Sequence, residues 1–354
     1  MSAPREHGGL IAGELRSLGL RPGEVLDFSV NVNVYGPAPK MIEAIRAARV
    51  DLYPDPTARE AREAVGAVCD VDPERIVIGN GAADLLWTLA RVLARPGQML
   101  LIVEPAFSEV RAAVAATGAR VIEWRASPAD DFAVDLNAVA ARARAAEARA
   151  IYLCTPSTPT GMAVPVADIR ILSESLPGIA VILDEAFLSL SEHHADAAVP
   201  LPPNVIRVRS LTKEHGIPGV RVGYAIATPA IAAVLEATRP AWTTGAATQA
   251  AAVTSCSLRA FIEDSRERLL ADRRALAAGL RELGLSPLPS ITTYCAVPVG
   301  RPAAELRRAL LARQRILVRD CASFGMPDHV RLAALPAHDR ARLLAALREE
   351  LLRC

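Results

Sequence analysis

The chain has 354 residues, 51% of them hydrophobic and 22% charged, the balance of a folded chain with a large core and length for two domains. This excludes a disordered, collagen-like or small disulfide-stapled protein, and a net charge of +1, from 40 basic and 39 acidic residues, provides no field that would gather nucleic acid or an anionic membrane. Lysine occurs only at Lys40 and Lys213, and the rest of the basic set is arginine, so side-chain amine chemistry has two candidates.

The opening MSAPREHGG has no apolar signal region, and no run of 18 apolar residues suggests a membrane span. Cys69, Cys154, Cys256, Cys295, Cys321 and Cys354 are scattered without metal-ligand spacing. The expectation is a cytoplasmic chain with reduced thiols and no structural metal.

In chain order, residues 1–35 read as an irregular arm with turns at Arg21-Pro22-Gly23 and Tyr35-Gly36-Pro37. Residues 74–227 then alternate strands and helices. Strand-like runs stand at 75–79, 99–103, 120–124, 150–154, 180–184, 204–209 and 220–227. Amphipathic stretches at 82–94, 107–117, 135–146 and 165–175 separate several of them. This alternation predicts an α/β fold with a mostly parallel sheet covered by helices on both faces. A long charged helix follows over 259–284, ended by Gly284. The remainder reads as strand (292–298), helix (302–313), short strands near 315–318 and 329–333, and a last helix (337–352). The expected division is an arm (1–35) belonging to a small α+β domain, a large domain (36–240), and the long helix with the small domain (241–354).

The sharpest chemical signal is Ser210-Leu211-Thr212-Lys213, followed by Gly216-Ile217-Pro218-Gly219-Val220-Arg221. A lysine is ordinarily a solvated surface residue, but this one sits between two strands with hydroxyls beside it and an arginine eight residues on. That cluster suits an amine that condenses with an aldehyde next to an anion bound by Ser210, Thr212 and Arg221. Asp184 ends an apolar strand run, where a carboxylate faces the ligand crevice of an open sheet. Gly79-Asn80-Gly81 joins a strand to a helix, whose N-terminus offers the backbone N–H groups of Ala82 and Ala83 to a phosphate.

These segments resemble the lysine region of fold-type-I pyridoxal-phosphate enzymes, in the class I/II aminotransferase superfamily. The likeness extends through LDFSVNVNVYGP (26–37), YPDPTAREAREAV (53–65), GNGAADLLW (79–87), EPAFSE (104–109), TPSTPTG (155–161), DEAF (184–187), RDCASF (319–324) and HVRLA (329–333). Histidinol-phosphate aminotransferases are similar. His7-Gly8-Gly9, SLTK with IPG, and RDCASF lean toward the L-threonine-O-3-phosphate decarboxylases of cobalamin biosynthesis.

The resemblance implies pyridoxal 5'-phosphate bound through Lys213, with Asp184 on the pyridine nitrogen and Phe107 stacked on the ring. It implies that Tyr53 crosses to the phosphate of a second subunit, making a homodimer, and that Arg319 and Arg331 bind the substrate carboxylate. Two positions depart from the family pattern. Thr158 stands where an Asn usually meets the cofactor's phenolic oxygen, and Phe187 stands where many members carry a Tyr. The leading expectation is decarboxylation of a phosphorylated amino acid, with His7 and Asn33 of the arm contributing to a distal phosphate pocket. The alternatives are an aminotransferase of the histidinol-phosphate type, an elimination or cyclisation enzyme of secondary metabolism, and a non-catalytic binding protein on the same fold.

Overall fold

A computed structural model describes residues 7–352. Its twelve strands are β1 (Leu26–Asp27), β2 (Ile76–Gly79), β3 (Met99–Glu104), β4 (Arg120–Arg125), β5 (Ala150–Cys154), β6 (Ala180–Asp184), β7 (Val205–Arg209), β8 (Gly223–Ile226), β9 (Tyr294–Pro298), β10 (Ile316–Leu317), β11 (Arg319–Cys321) and β12 (Met326–Ala333). Seven of them form the large sheet in the order β2-β8-β7-β6-β5-β3-β4. It is parallel except at β8, which runs antiparallel to β2 and β7.

Side-chain alternation explains why this sheet lies in the interior. Leu100, Ile102, Tyr152, Ile182 and Ile206 pack into one core, which holds residues of the helices Gly81–Leu93, Ser108–Ala116 and Pro229–Ala237. Leu101, Val103, Ile151, Leu153, Val181 and Leu183 pack into the other, with the helices Leu136–Ala145 and Val166–Glu174. Both faces are covered, so the strands need apolar residues at successive positions. β4 departs from that expectation: it is an edge strand with Arg120, Glu123 and Arg125 exposed, charges that discourage further strand pairing.

The sheet gathers chemistry at one edge. β2, β3, β5, β6 and β7 all end there, and antiparallel β8 begins there, with Gly223 opposite Gly79. The C-terminal edge of parallel strands is where an open α/β sheet leaves a crevice.

A second sheet has the order β11-β12-β9 and is antiparallel. Its core includes Phe28, Leu276, Leu280, Val297, Val318, Val330 and Leu347. Residues of the opening segment join this region. β1 pairs in parallel with β10, and Glu14 takes a forked pair of hydrogen bonds from Arg307 at 2.6 and 2.7 Å. The opening segment is more regular than its composition suggests, since Ala12–Ser17 is helical and Leu26–Asp27 is a strand. Its short elements depend on tertiary partners. The long helix runs Arg259–Glu282. Cys69, Cys154, Cys256, Cys295 and Cys321 are unpaired, while Cys354 lies outside the described residues. Among the described residues, no helix is long and apolar enough to cross a membrane.

Candidate active site

At the gathered strand ends lies a cavity of about 500 Å³. Lys213, Asp184, Ala82, Ala83, Phe107, Thr158, Ser210, Arg221, His7, Arg319 and Arg331 all line it. Residues separated by more than 300 positions thus meet in one space.

Lys213 belongs to a one-turn helix, Leu211–Glu214, directly after β7. The turn is pinned from outside. Asn33 N–H donates to the Lys213 carbonyl and Asn33 Nδ2 donates to the Glu214 carbonyl, both at 2.8 Å. Gly216 closes the turn with φ +65°, and a Cβ there would stand 2.5 Å from the Asn33 carbonyl oxygen. Only glycine accepts both the left-handed backbone and that approach. Burial, then the charges of Arg331 and Arg221, push the Lys213 amine down to about 8, against the pull of Asp184. The lysine is therefore poised as a nucleophile near neutral pH.

Asp184 is 3% exposed. Its Oδ2 accepts from the Tyr152 hydroxyl at 2.7 Å and its Oδ1 from the Ala186 N–H at 3.0 Å. Burial raises its pKa, while the Tyr152 hydroxyl, the Ala186 amide and Lys213 oppose the rise. Arg331 is buried between the two halves of the chain. Its Nη1 donates to Thr158 Oγ1 at 2.7 Å and its Nη2 to the Ser29 carbonyl at 2.8 Å, and its buried Nε has no partner. Arg319 is paired with Arg331 in the β11–β12 register and donates to Ser323 Oγ at 2.6 Å. Phe187 is buried with its ring centre 5.6 Å from Lys213 Nζ. It meets Tyr294 edge-on at 5.0 Å.

Three expected residues do not line this cavity. Thr212 turns its hydroxyl onto the Val222 carbonyl at 3.1 Å, bracing the lysine turn against the entry to β8. Asn33 has both ends of its amide engaged by backbone, since Oδ1 accepts from Tyr35 N–H at 3.0 Å; it positions the lysine turn and does not line the cavity. Tyr53 is 81% exposed and stacks on Trp242 with ring centres 4.7 Å apart, outside this chain's own cavity.

The structure also brings in residues that the sequence did not single out. Asn31 lines the cavity, is 3% exposed, and leaves both Oδ1 and Nδ2 without a partner among the described residues. A buried amide in that condition is an acceptor–donor pair aimed at a ligand. Asn31 and Asn33 are two residues apart, so the motif showed the pair without telling which faced the crevice. Glu109 is a buried carboxylate on the cavity wall, accepting from Trp87 Nε1 at 2.8 Å and paired with His7 Nε2 at 2.9 Å. Tyr152 could have been suspected, because a tyrosine in an aliphatic strand needs an acceptor for its hydroxyl.

These residues fit pyridoxal phosphate. The strand–helix junction is shaped for a phosphate: a Cβ on Gly81 would stand 2.7 Å from Arg221 Nη2, and one on Gly223 would stand 2.9 Å from the Ala82 nitrogen. Ser210 precedes its helix without capping it, which leaves its hydroxyl for an anion. The family model for aminotransferase class I and II matches residues 23–349. The chain belongs to the class I and II aminotransferase family. Pyridoxal phosphate is its cofactor, and it is an enzyme.

A histidinol-phosphate aminotransferase of Symbiobacterium thermophilum is 34% identical over 341 residues, covering 95% of this chain and 92% of the relative. The crystal structure of histidinol-phosphate aminotransferase from Sinorhizobium meliloti, in complex with pyridoxal-5'-phosphate, superposes with a TM-score of 0.88 at 26% identity over 97% of this chain and 95% of that one. L-threonine-O-3-phosphate decarboxylase from Porphyromonas gingivalis has a TM-score of 0.80 at 21% identity, covering 93% of this chain and 100% of that one. That last likeness speaks to the fold alone. The similarities favour the aminotransferase reading over the decarboxylase reading drawn from the short motifs.

Proposed function

We propose that this enzyme is an aminotransferase of the histidinol-phosphate type, moving an amino group from a phosphate-bearing donor to a 2-oxo acid. The observation that carries the reading is the 34% identity to a histidinol-phosphate aminotransferase over 95% of this chain, with Arg319 and Arg331 both on the wall of the cavity that holds Lys213. Thr158 stands at the position that serves the cofactor's phenolic oxygen in the family and accepts from Arg331 Nη1 at 2.7 Å, so Arg331 would offer its charge to a substrate anion in the same cavity.

Bound in this cavity, pyridoxal phosphate supplies an aldehyde for amines and a ring that accepts electrons from the bond broken at Cα. The protein's residues divide the remaining work. Lys213 would anchor the cofactor through its amine, and that amine, when free, would take and return the proton at the substrate's Cα. Asp184 would keep a proton on the ring nitrogen, Ser210, Arg221 and the N–H groups of Ala82 and Ala83 would hold the phosphate, and Phe107 would pack against the ring. Arg331 and Arg319 bind the donor's phosphate and the acceptor's carboxylate. Thr158 accepts from Arg331 and would turn its own proton to the phenolic oxygen.

Tyr53 acts in a second copy of the chain. Its exposure beside exposed Val50, Leu52 and Trp242 supports a homodimer whose two sites each borrow a tyrosine. A cytoplasmic setting belongs to this reading.

The test is a half-reaction without turnover. Mixing the loaded enzyme with histidinol phosphate should convert the cofactor to its amine form, and 2-oxoglutarate should restore it with one glutamate per site. Release of CO₂ from threonine phosphate, with histidinol phosphate inert, would replace this reading with decarboxylation.

A further inference from the structure

We propose that Tyr152 is the positioning residue that keeps Asp184 ionised and aimed at the cofactor's ring nitrogen. Tyr152 lies in the middle of β5, fully buried, and its hydroxyl donates to Asp184 Oδ2 at 2.7 Å. The direction of donation follows from the groups themselves. Burial, together with the charge of Asp184, raises the Tyr152 phenol well above its ordinary value, so the shared proton stays on the tyrosine.

The surroundings make that hydrogen bond consequential. Tyr152 packs in the apolar core with Leu100, Ile102, Ile182 and Ile206. The buried Cys154 thiol also faces the pair, and the charges of Lys213 and Glu185 act on Asp184 in opposite senses. Asp184 has two protein donors, the Tyr152 hydroxyl and the Ala186 amide. The Ala186 bond is local, two residues along the same chain, and a turn alone can make it. The Tyr152 bond comes from the neighbouring strand, so it fixes the rotation of the carboxylate about its last bond.

Without it, a carboxylate buried in hydrocarbon takes up a proton more readily. A protonated carboxyl does not hold a pyridinium, and the ring then loses its capacity as an electron sink. Tyr152 touches neither substrate nor cofactor in this scheme. It acts through Asp184, and the inference rests on the cofactor and not on the choice of substrate.

The variant that tests this is Tyr152→Phe, which conserves volume and leaves the core packing in place. Tyr35→Phe is the matched control, since its hydroxyl donates to Asp272 outside the cavity. The decisive readout is the nitrogen resonance of ¹⁵N-ring-labelled cofactor in the loaded enzyme, followed from pH 6 to 9. In the parent and in Tyr35→Phe the nitrogen should remain a pyridinium throughout. In Tyr152→Phe it should move toward the neutral pyridine position as pH rises. The value of kcat should fall about 10- to 100-fold, the size of a hydrogen bond to a charged group, with KM changed less than threefold. A pyridinium signal identical to the parent's across that range would overturn the proposal, whatever happened to kcat, and would leave Tyr152 as a core residue with a satisfied hydroxyl. Failure of the amino-transfer reading would leave this nitrogen signal unaffected.

Discussion

The cofactor half and the substrate half of the cavity are built by different means. The cofactor half comes from the large sheet. Asp184 and Gly79 close strands of the seven-stranded sheet, and Ser210, Lys213 and Gly81 stand within four residues of a strand end. The substrate half is assembled from His7 and Asn31 near the start of the chain and Arg319 and Arg331 near its end. It is held together by side-chain bonds such as Arg331 to Ser29 O and Glu14 to Arg307. Chemistry fixed by a sheet edge tolerates little change in reaction type, whereas chemistry assembled from an arm and a small sheet is where substrate choice can vary.

The largest effect belongs to the cofactor half. Lys213→Ala should lower kcat by at least about a thousandfold, because one side chain acts as both attachment point and proton carrier. Phosphate contacts from Ser210 and Arg221 should still retain cofactor, so a colour change on dialysis, together with steady-state rates, checks both parts. Arg331→Ala comes next. Loss of a buried, charge-assisted partner should cost about 100-fold in kcat/KM, corresponding to ~3 kcal/mol. It carries a second signature. Arg331 depresses the Lys213 amine, so removing that cation must raise it. Cofactor capture by the unloaded chain, which needs the neutral amine, should level off above about pH 8 in the parent and at a higher pH in the variant. An unchanged profile would separate the two halves electrostatically.

A smaller effect tests whether the cofactor half is complete within one chain. Tyr53→Phe should weaken cofactor binding about tenfold, the size of one hydrogen bond to a charged group, and mixing it with a Lys213→Ala chain should restore part of the lost activity through hybrid dimers. No restoration would place Tyr53 outside the neighbouring site. The smallest effect in rate contrasts the two asparagines. Asn31→Ala should raise KM for the donor severalfold with stability nearly unchanged. Asn33→Ala should instead lower stability by about 1–2 kcal/mol, because the bonds to the Glu214 carbonyl and from the Tyr35 N–H are lost. Thermal melts beside initial rates distinguish these outcomes.

The same contrast governs what the sequence disclosed. Strand runs at 150–154 and 180–184 match β5 and β6 residue for residue, since buried parallel strands are contiguous apolar segments that need no partner to be recognised. Lys213 and Asp184 were legible because each sits at a strand end inside a local motif. Asn31 and Glu109 were not, because their placement depends on contacts made far along the chain. Glu109 meets His7 across 102 positions. Thr212 shows the same dependence: a hydroxyl beside an anion motif reads as a ligand from sequence, and in the fold it donates to the Val222 carbonyl. The short motifs shared with decarboxylases lie mainly in the substrate half, where local likeness specifies least.

The most direct measurement is borohydride reduction of the cofactor-loaded protein followed by peptide mapping. With two lysines in the chain, the result is unambiguous. The reduced cofactor should be found on the peptide containing Lys213, at one per chain, and adding histidinol phosphate before the reductant should remove it from that peptide. Label on Lys40, or label on Lys213 that no amino donor displaces, would contradict the assignment of this cavity as the site of amino transfer.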